Sequence, residues 1–590
     1  MIPESQQATF SAQLLVQIKS LLRLSKQYHE TDKPLTIGQA ETAMAGVTEL
    51  LDNFPQQTIA QLQLFKSALP GITNLQLNML ITALLLCRRN HWNATTTHQF
   101  LCGLLCWAVQ HQKPLEIALF KEDADASSRD SSKNVLVKAL QKGKRDIWLS
   151  VMQGVTRNMA LSPSKHLNQP FFHNKAVLFG QMAIYLAIQS MPIGNKKGMT
   201  LHHSLQKLMA ILHVNSLHYV ESLLDYPGSL APGTHIKTHD KQTCVVLDIY
   251  NNELQVKLFD KAEKHYAAQC HTISFEHVMT VLPVLPLRQI KVLDSIWDKE
   301  WLALPEHQNK AQPLEIHSYR LDAPPASLRN VLEHMDKQDV SMDELSDLIA
   351  HEPTFVEHLK ESATKAAREE INVSDLKHSL IFNGLERTKS VLVQHALITR
   401  LNQHYFPLQD AFFQFLKFWA HTASSMAKDQ PGLVSEQVSN WVYFSCSGLF
   451  TNAELKSRTC WPVTQKMHLG IKAVAECQHP EHFILHAQKL AESWYQEKEL
   501  TLALRLMLAE DSEQSTALKS TAYSLLMSSF IVSYTLFTQG QLDTLENDDL
   551  LQQMNSKLRV SSEELAILTK DSLEKSHTYS PISSQTRFSD

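Results

Sequence analysis

Two scarce residue types constrain this chain most. Of 590 residues only 16 are Gly and 22 are Pro, which leaves few turns and favours long helices. The apolar spacing agrees. Leu14, Leu15, Ile18, Leu21 and Leu22 recur at three and four residues, the stripe of an amphipathic helix. Leu80 to Cys87 is apolar almost all round, as in a helix buried on every side. A mainly α protein is therefore expected. Its length is too great for one core and suggests roughly three or four domains.

One region breaks the helical period. Cys244 to Tyr250 and Leu254 to Phe259 read as strands around an Asn251-Asn252 turn, with His235–Lys237 before and Thr272–Phe275 after. This places a small β unit at 233–285, after a helical domain at 1–232. Six prolines then follow between 281 and 325 (Pro283, Pro286, Pro305, Pro313, Pro324 and Pro325), a density that predicts an extended connector over 286–325. The polar run Glu122–Lys133 predicts a flexible loop. From 326 to about 575 the helical pattern returns. Ser341 with Glu344 makes a capping box ahead of Leu345, Leu348 and Ile349, and Ser374 is expected to cap a helix that stops at Gly384. The Ser- and Thr-rich residues 576–590 read as a disordered tail.

Charge and cysteine usage narrow the class. The net charge is −5 with 29 histidines counted neutral, so no global field recruits nucleic acid. The basic run Lys142-Gly143-Lys144-Arg145 is better read as a solvated face than as a phosphate track. Eight cysteines are scattered without a Cys-x-x-Cys pair, and Cys102 and Cys106 share one helix face. The opening Met-Ile-Pro-Glu-Ser lacks the basic and apolar regions of a signal peptide. The apolar runs Leu77–Cys87 and Leu525–Phe537 fall short of the roughly 18–20 residues that span a bilayer. A soluble, cytoplasmic protein with no membrane partner is expected.

An ordered set of motifs lies between Ser341 and Trp494. It runs from Ser341–Pro353 through Asn383-Gly384-Leu385, Trp419-Ala420-His421 and Phe444–Phe450 to His486–Trp494. In order and spacing the set resembles the HDOD domain, a helical relative of the HD phosphohydrolases, and the resemblance covers about 315–575. Catalytic HD domains hold a divalent metal with adjacent His and Asp on a helix. At the matching place this chain carries Ser445 and Cys446, and His421 matches the first histidine that such domains often keep. A hydroxyl and a thiol do not replace an imidazole and a carboxylate around a hard, phosphate-activating metal. Where the family usually has an Asn-Ser pair, between 359 and 370, this chain has Leu359–Arg368 instead.

The N-terminal half is similar, more faintly and over about 70–285, to an HD-GYP domain, the family of cyclic-di-GMP phosphodiesterases. Cys106-Trp107 occupies the place of the His-Asp pair. Ser204–Met209, Tyr219-Val220 and Tyr226–Gly233 follow the order of the family's last helix and its short β extension. Asp225-Tyr226-Pro227 is placed as the later turn, not as the Gly-Tyr-Pro signature. The paired histidines that precede that signature are missing, since His202-His203 lie on the wrong side of the last helix.

Two rival sites compete with a packing role. Cys477, His479, His482 and His486 crowd ten residues and have the donors for zinc, though Pro480 opens a helix among them. Ser445-Cys446 as a nucleophile has no Gly-x-Ser-x-Gly turn and no base beside it in sequence. The resemblances together imply two helical HD-type domains with a small β unit between them. The leading expectation is a non-catalytic signal-transduction or scaffold protein, without cofactor or metal, that binds protein partners through its HDOD helices. His421, Ser445 and Cys446 would be a vestigial pocket. The alternatives are a degenerate cyclic-di-GMP receptor and a working metal-dependent phosphodiesterase.

Overall fold

The structure, a computed structural model, describes residues 9–30, 35–120, 131–159, 163–169, 174–260, 265–302, 320–337, 339–366, 374–459, 461, 480–508, 517–539 and 548–576. The chain divides into two compact units, Met1–Ile316 and His317–Asp590. The loop expected at 122–133 lies outside the described residues up to 130, and a helix begins at Ser131. Residues 577–590 also lie outside them.

The helices of the first unit include α1 (Phe10–Glu30), α2 (Ile37–Asn53), α3 (Gly71–Arg89), α4 (Ala94–Gln110), α5 (Asp146–Met159), α6 (Lys175–Ser190) and α7 (Leu201–Met209). In α3 every residue from Ile72 to Cys87 is buried. A helix satisfies its own backbone, so it can be sunk on all sides where an irregular segment cannot. It packs against α4 and α6, and α4 packs against α5. Gly103 sets that last approach, since a Cβ there would stand 2.7 Å from the Trp148 Cα. In α1 the expected stripe is present, with Leu14, Ile18 and Leu21 buried and Leu15 and Leu22 half-buried.

The strands of the first unit are β1 (Leu64–Lys66), β2 (His235–Thr238), β3 (Thr243–Tyr250), β4 (Glu253–Asp260), β5 (His265–Ser274), β6 (Val278–Val281) and β7 (Leu285–Leu287). Five of them form an antiparallel sheet in the order β5-β4-β3-β2-β6. Asn251 and Asn252 both take positive φ, 47° and 64°, and join β3 to β4 in the two-residue turn that suits the twist of a hairpin. Ile236, Cys244, Val246, Leu254 and Val256 form the sheet's small apolar core.

Most of β3 is buried at successive residues, so both faces of the sheet are covered there. Residues 286–302, expected as an extended connector, do part of that covering. Pro286 sits in β7, which pairs in parallel with β1. Leu293, Ile296, Trp297 and Trp301 are buried, and the Trp297 indole donates to the Leu247 carbonyl at 3.3 Å. The Lys257 amine, fully buried in β4, donates to Asp298 Oδ2 at 2.5 Å and to the Ser295 carbonyl at 3.0 Å. Proline density suggests a connector, but Leu293, Ile296, Trp297 and Trp301 lie at helical spacing and are buried.

The second unit has no strand among its described residues. Its helices include α8 (Met342–Ala350), α9 (Pro353–Ala366), α10 (Leu376–Leu401), α11 (Gln409–Ala427), α12 (Ser435–Ser445), α13 (Pro480–Ser493) and α14 (Thr521–Gln539). Ser341 caps α8 by accepting from the Glu344 N–H at 3.4 Å. The expected cap of α10 moves by one residue. Asp375, not Ser374, accepts from the His378 N–H, at 3.0 Å. Gly384 breaks the helix as expected, at φ 68° and ψ 170°, but the chain resumes helix at once and runs on to Leu401. That φ suits glycine, so the residue acts as a kink and not as a terminus. The core is strongly aromatic: Phe415 packs edge to face on Phe530 and Tyr534, as Trp419 does on Phe530, and the Trp419 indole donates to Ser529 Oγ at 2.9 Å.

His235, buried at the start of the sheet, bonds the Tyr266 hydroxyl at 2.8 Å. Burial holds its pKa down at about 4, from an ordinary 6.5. Above pH 6.5 the ring is neutral whether folded or not, and between pH 6.5 and 4 the unfolded chain takes up a proton that the fold refuses. Acid therefore removes stability, by about 2 kcal/mol at pH 5. The stability gap between wild type and His235→Gln, measured by urea denaturation, should narrow by about that amount from pH 7 to pH 5.

Candidate functional site

Ser445 and Cys446, the residues expected at the place of the metal-binding pair, lie inside the core. Helix α12 ends at Ser445, and Cys446 caps it by donating its N–H to the Val442 carbonyl at 3.0 Å. The Ser445 side chain is fully buried, and its hydroxyl donates to the Trp441 carbonyl one turn back, at 2.7 Å. That bond satisfies the hydroxyl within its own helix. Burial pushes the Cys446 thiol well above its ordinary pKa, so it is neutral. A neutral thiol is neither a nucleophile nor a metal ligand. Aromatic rings close the neighbourhood: Phe444 lies 5.9 Å from Trp494, and Phe450 packs on Phe406, Phe412 and Phe413.

His421 is half-buried on α11, beside the fully buried Trp419 and Thr422. Helices α11 and α12 pack together, so the elements carrying the three expected residues are neighbours. Among the described residues, however, no group of three or more His, Cys, Asp or Glu side chains is placed to hold a metal ion. The Asn383-Gly384 motif has a structural use in this chain. The Asn383 amide donates to the Leu359 carbonyl at 3.4 Å and accepts from Ser362 Oγ at 3.4 Å, tying α10 to α9 where Gly384 bends it. These bonds come from the segment that departs from the family pattern.

For the zinc reading, His482 and His486 lie exposed on α13, while Cys477 and His479 fall outside the described residues. In the first unit Cys106 and Trp107 are buried in α4, and burial pushes the Cys106 thiol up to about 12. Trp107 stacks on His111 with ring centroids 5.2 Å apart. The basic run near 145 is partly committed, since Arg145 pairs with Glu41 at 2.8 Å. No helix among the described residues is long and apolar enough to cross a membrane.

One feature is not evident from sequence, a groove of about 530 Å³ between the exposed face of α7 and residues 281–283. Its signal was faint: His203, Gln206, Lys207 and Ala210 share a face at helical spacing, but only the tertiary fold brings the end of β6 opposite them.

No family model matches the chain, and no curated protein matches it in sequence. Among solved structures it is similar to an HDOD domain protein of unknown function from Geobacter sulfurreducens, at 14% identity and TM-score 0.33, over 44% of this chain and 91% of that one. A phosphohydrolase-like protein from Shewanella amazonensis matches at 14% identity and TM-score 0.30, over 44% of this chain and 94% of its own. These likenesses are distant and concern fold alone.

Of the described cysteines, Cys270 is half-buried in β5, whereas Cys87, Cys102, Cys106, Cys244 and Cys446 are buried. Iodoacetamide labelling mapped by mass spectrometry should modify Cys270 in the native protein. Cys106 and Cys446 should react only after denaturation. Native labelling of Cys446 would show that its pocket is open.

Proposed function

We propose that this chain is a non-catalytic signal-transduction or scaffold protein, and that it binds protein partners through an HDOD-like domain over 326–575. One observation carries the reading. At the place of the metal-binding pair stand a serine whose hydroxyl is satisfied by its own helix and a cysteine whose thiol is kept neutral. Phosphodiester hydrolysis of the HD type needs a metal that supplies hydroxide near neutral pH and steadies charge on the phosphoryl oxygens. It needs three or more protein ligands for that metal. On this reading His421, Ser445 and Cys446 are the remnant of such a pocket, and Cys106-Trp107 is its counterpart in an HD-GYP-like first half.

A binding role asks for surface instead. Ile381 and Phe382 are 66% and 53% exposed on α10, just before the kink at Gly384. Adjacent exposed apolar side chains beside a bend are the kind of feature a partner covers.

Two measurements test the proposal. Protein purified without chelator should hold less than one metal per chain by elemental analysis, and should turn over neither cyclic-di-GMP nor an aryl phosphodiester with Mn²⁺, Mg²⁺, Fe²⁺ or Zn²⁺ added. Turnover that follows the protein through purification would overturn it. Affinity capture from the native cell should yield a stoichiometric protein partner, and Ile381→Asp with Phe382→Asp should weaken that capture at least tenfold. Calorimetric binding of cyclic-di-GMP with no protein partner captured would favour a nucleotide receptor instead.

A further inference from the structure

We infer that the groove beside α7 is a binding site for a small organic phosphate, an apolar body bearing one phosphate group. Its volume of about 530 Å³ lies within the range of small-molecule sites. One wall is the exposed face of α7 with the loop before it, and the other is the chain leaving β6. Main-chain hydrogen bonds fix both walls. Met199 N–H donates to the Gln189 carbonyl at 2.9 Å, Leu282 N–H to the His235 carbonyl at 2.8 Å, and Val284 N–H to the Gly198 carbonyl at 3.1 Å. The groove is therefore formed before any ligand arrives, which lowers the ordering cost of binding.

Its chemistry is two-sided. Val281, Leu282 and Pro283 supply an aliphatic wall, while Lys197 and Lys207 supply positive charge and His203 a ring nitrogen. No described residue that lines the groove is acidic. The imidazole is held in place: the Thr200 hydroxyl, which caps α7, accepts from the His203 N–H and lies 2.8 Å from Nδ1. When that hydroxyl donates to Nδ1, the ring proton sits on Nε2, and the ring offers a donor to an anion. Two lysines and an N–H on one groove, from α7 and the loop before it, suit a phosphate, which accepts around a tetrahedron, better than a planar carboxylate. Two exposed lysines and a net charge of −5 do not make a nucleic-acid track, so the ligand is a small molecule.

Calorimetry on the full chain at low salt tests the inference, with 1-naphthyl phosphate, 1-naphthol and inorganic phosphate as probes. The expected result is one-to-one binding of 1-naphthyl phosphate, at least tenfold tighter than either fragment. Lys197→Glu with Lys207→Glu should weaken it at least tenfold. So should Ala210→Trp, which fills the groove from an exposed position without changing charge. Both variants should keep the wild-type circular dichroism and melting temperature. Three results would overturn the inference: no binding to the wild type, equal affinity in both variants, or inorganic phosphate binding as tightly as 1-naphthyl phosphate.

Discussion

A charge moved into either interior costs several kcal/mol unless it is paired or neutralised, and both units are arranged around that cost. Lys257 shows the paired solution. Its amine is fully buried, and Asp298 reaches it from the segment that follows the sheet. The pair thus fixes where residues 293–302 lie on the sheet, and the apolar side chains around it supply the burial. Lys66 shows the neutralised solution. It has no carboxylate beside it among the described residues, its amine donates only to the Gln61 and Leu64 carbonyls at 3.3 Å each, and burial brings its pKa to about 7. Ser445 and Cys446 avoid the problem by being neutral from the outset.

Local periodicity made much of this fold legible. Helices α1 and α3, the β3–β4 hairpin and the return to helix after 326 follow from apolar spacing and from Asn251-Asn252, because those signals reside within a few residues of one another. What was misread depends on longer range. Residues 286–302 carry prolines that suit a connector and a stripe of Leu293, Ile296, Trp297 and Trp301 that suits burial, and the presence of a sheet face to cover decides between them. Gly384 suggests a stop because a glycine in the left-handed conformation ends many helices, yet Asn383 bonds α9 at the bend and α10 continues past it. At the candidate site, residue identity alone argues that a hydroxyl and a thiol at 445 and 446 make a poor ligand pair for a hard metal. That Ser445 is sealed by its own helix needed the packing, and the groove beside α7 needed the contact between two distant segments.

In the second unit Phe406, Phe412, Phe415 and Trp419 are fully buried, and Trp461 packs on Phe412 and Phe415 with centroids 4.9 and 5.5 Å apart. Aromatic pairs of this kind add about 0.5–1.5 kcal/mol each beyond the area they bury. An imidazole and a carboxylate placed at 445 and 446 would put two polar groups into this packing, where each needs a hydrogen-bond partner. Lys197, in the loop before α7, and Lys207, on its exposed face, lie at the surface instead. The wall opposite them is fixed because Leu282 and Val284 are held by the backbone of His235 and Gly198. Interior packing and surface charge are thereby separated in this chain: Ser445 and Cys446 lie in the core, whereas Lys197 and Lys207 lie at the surface.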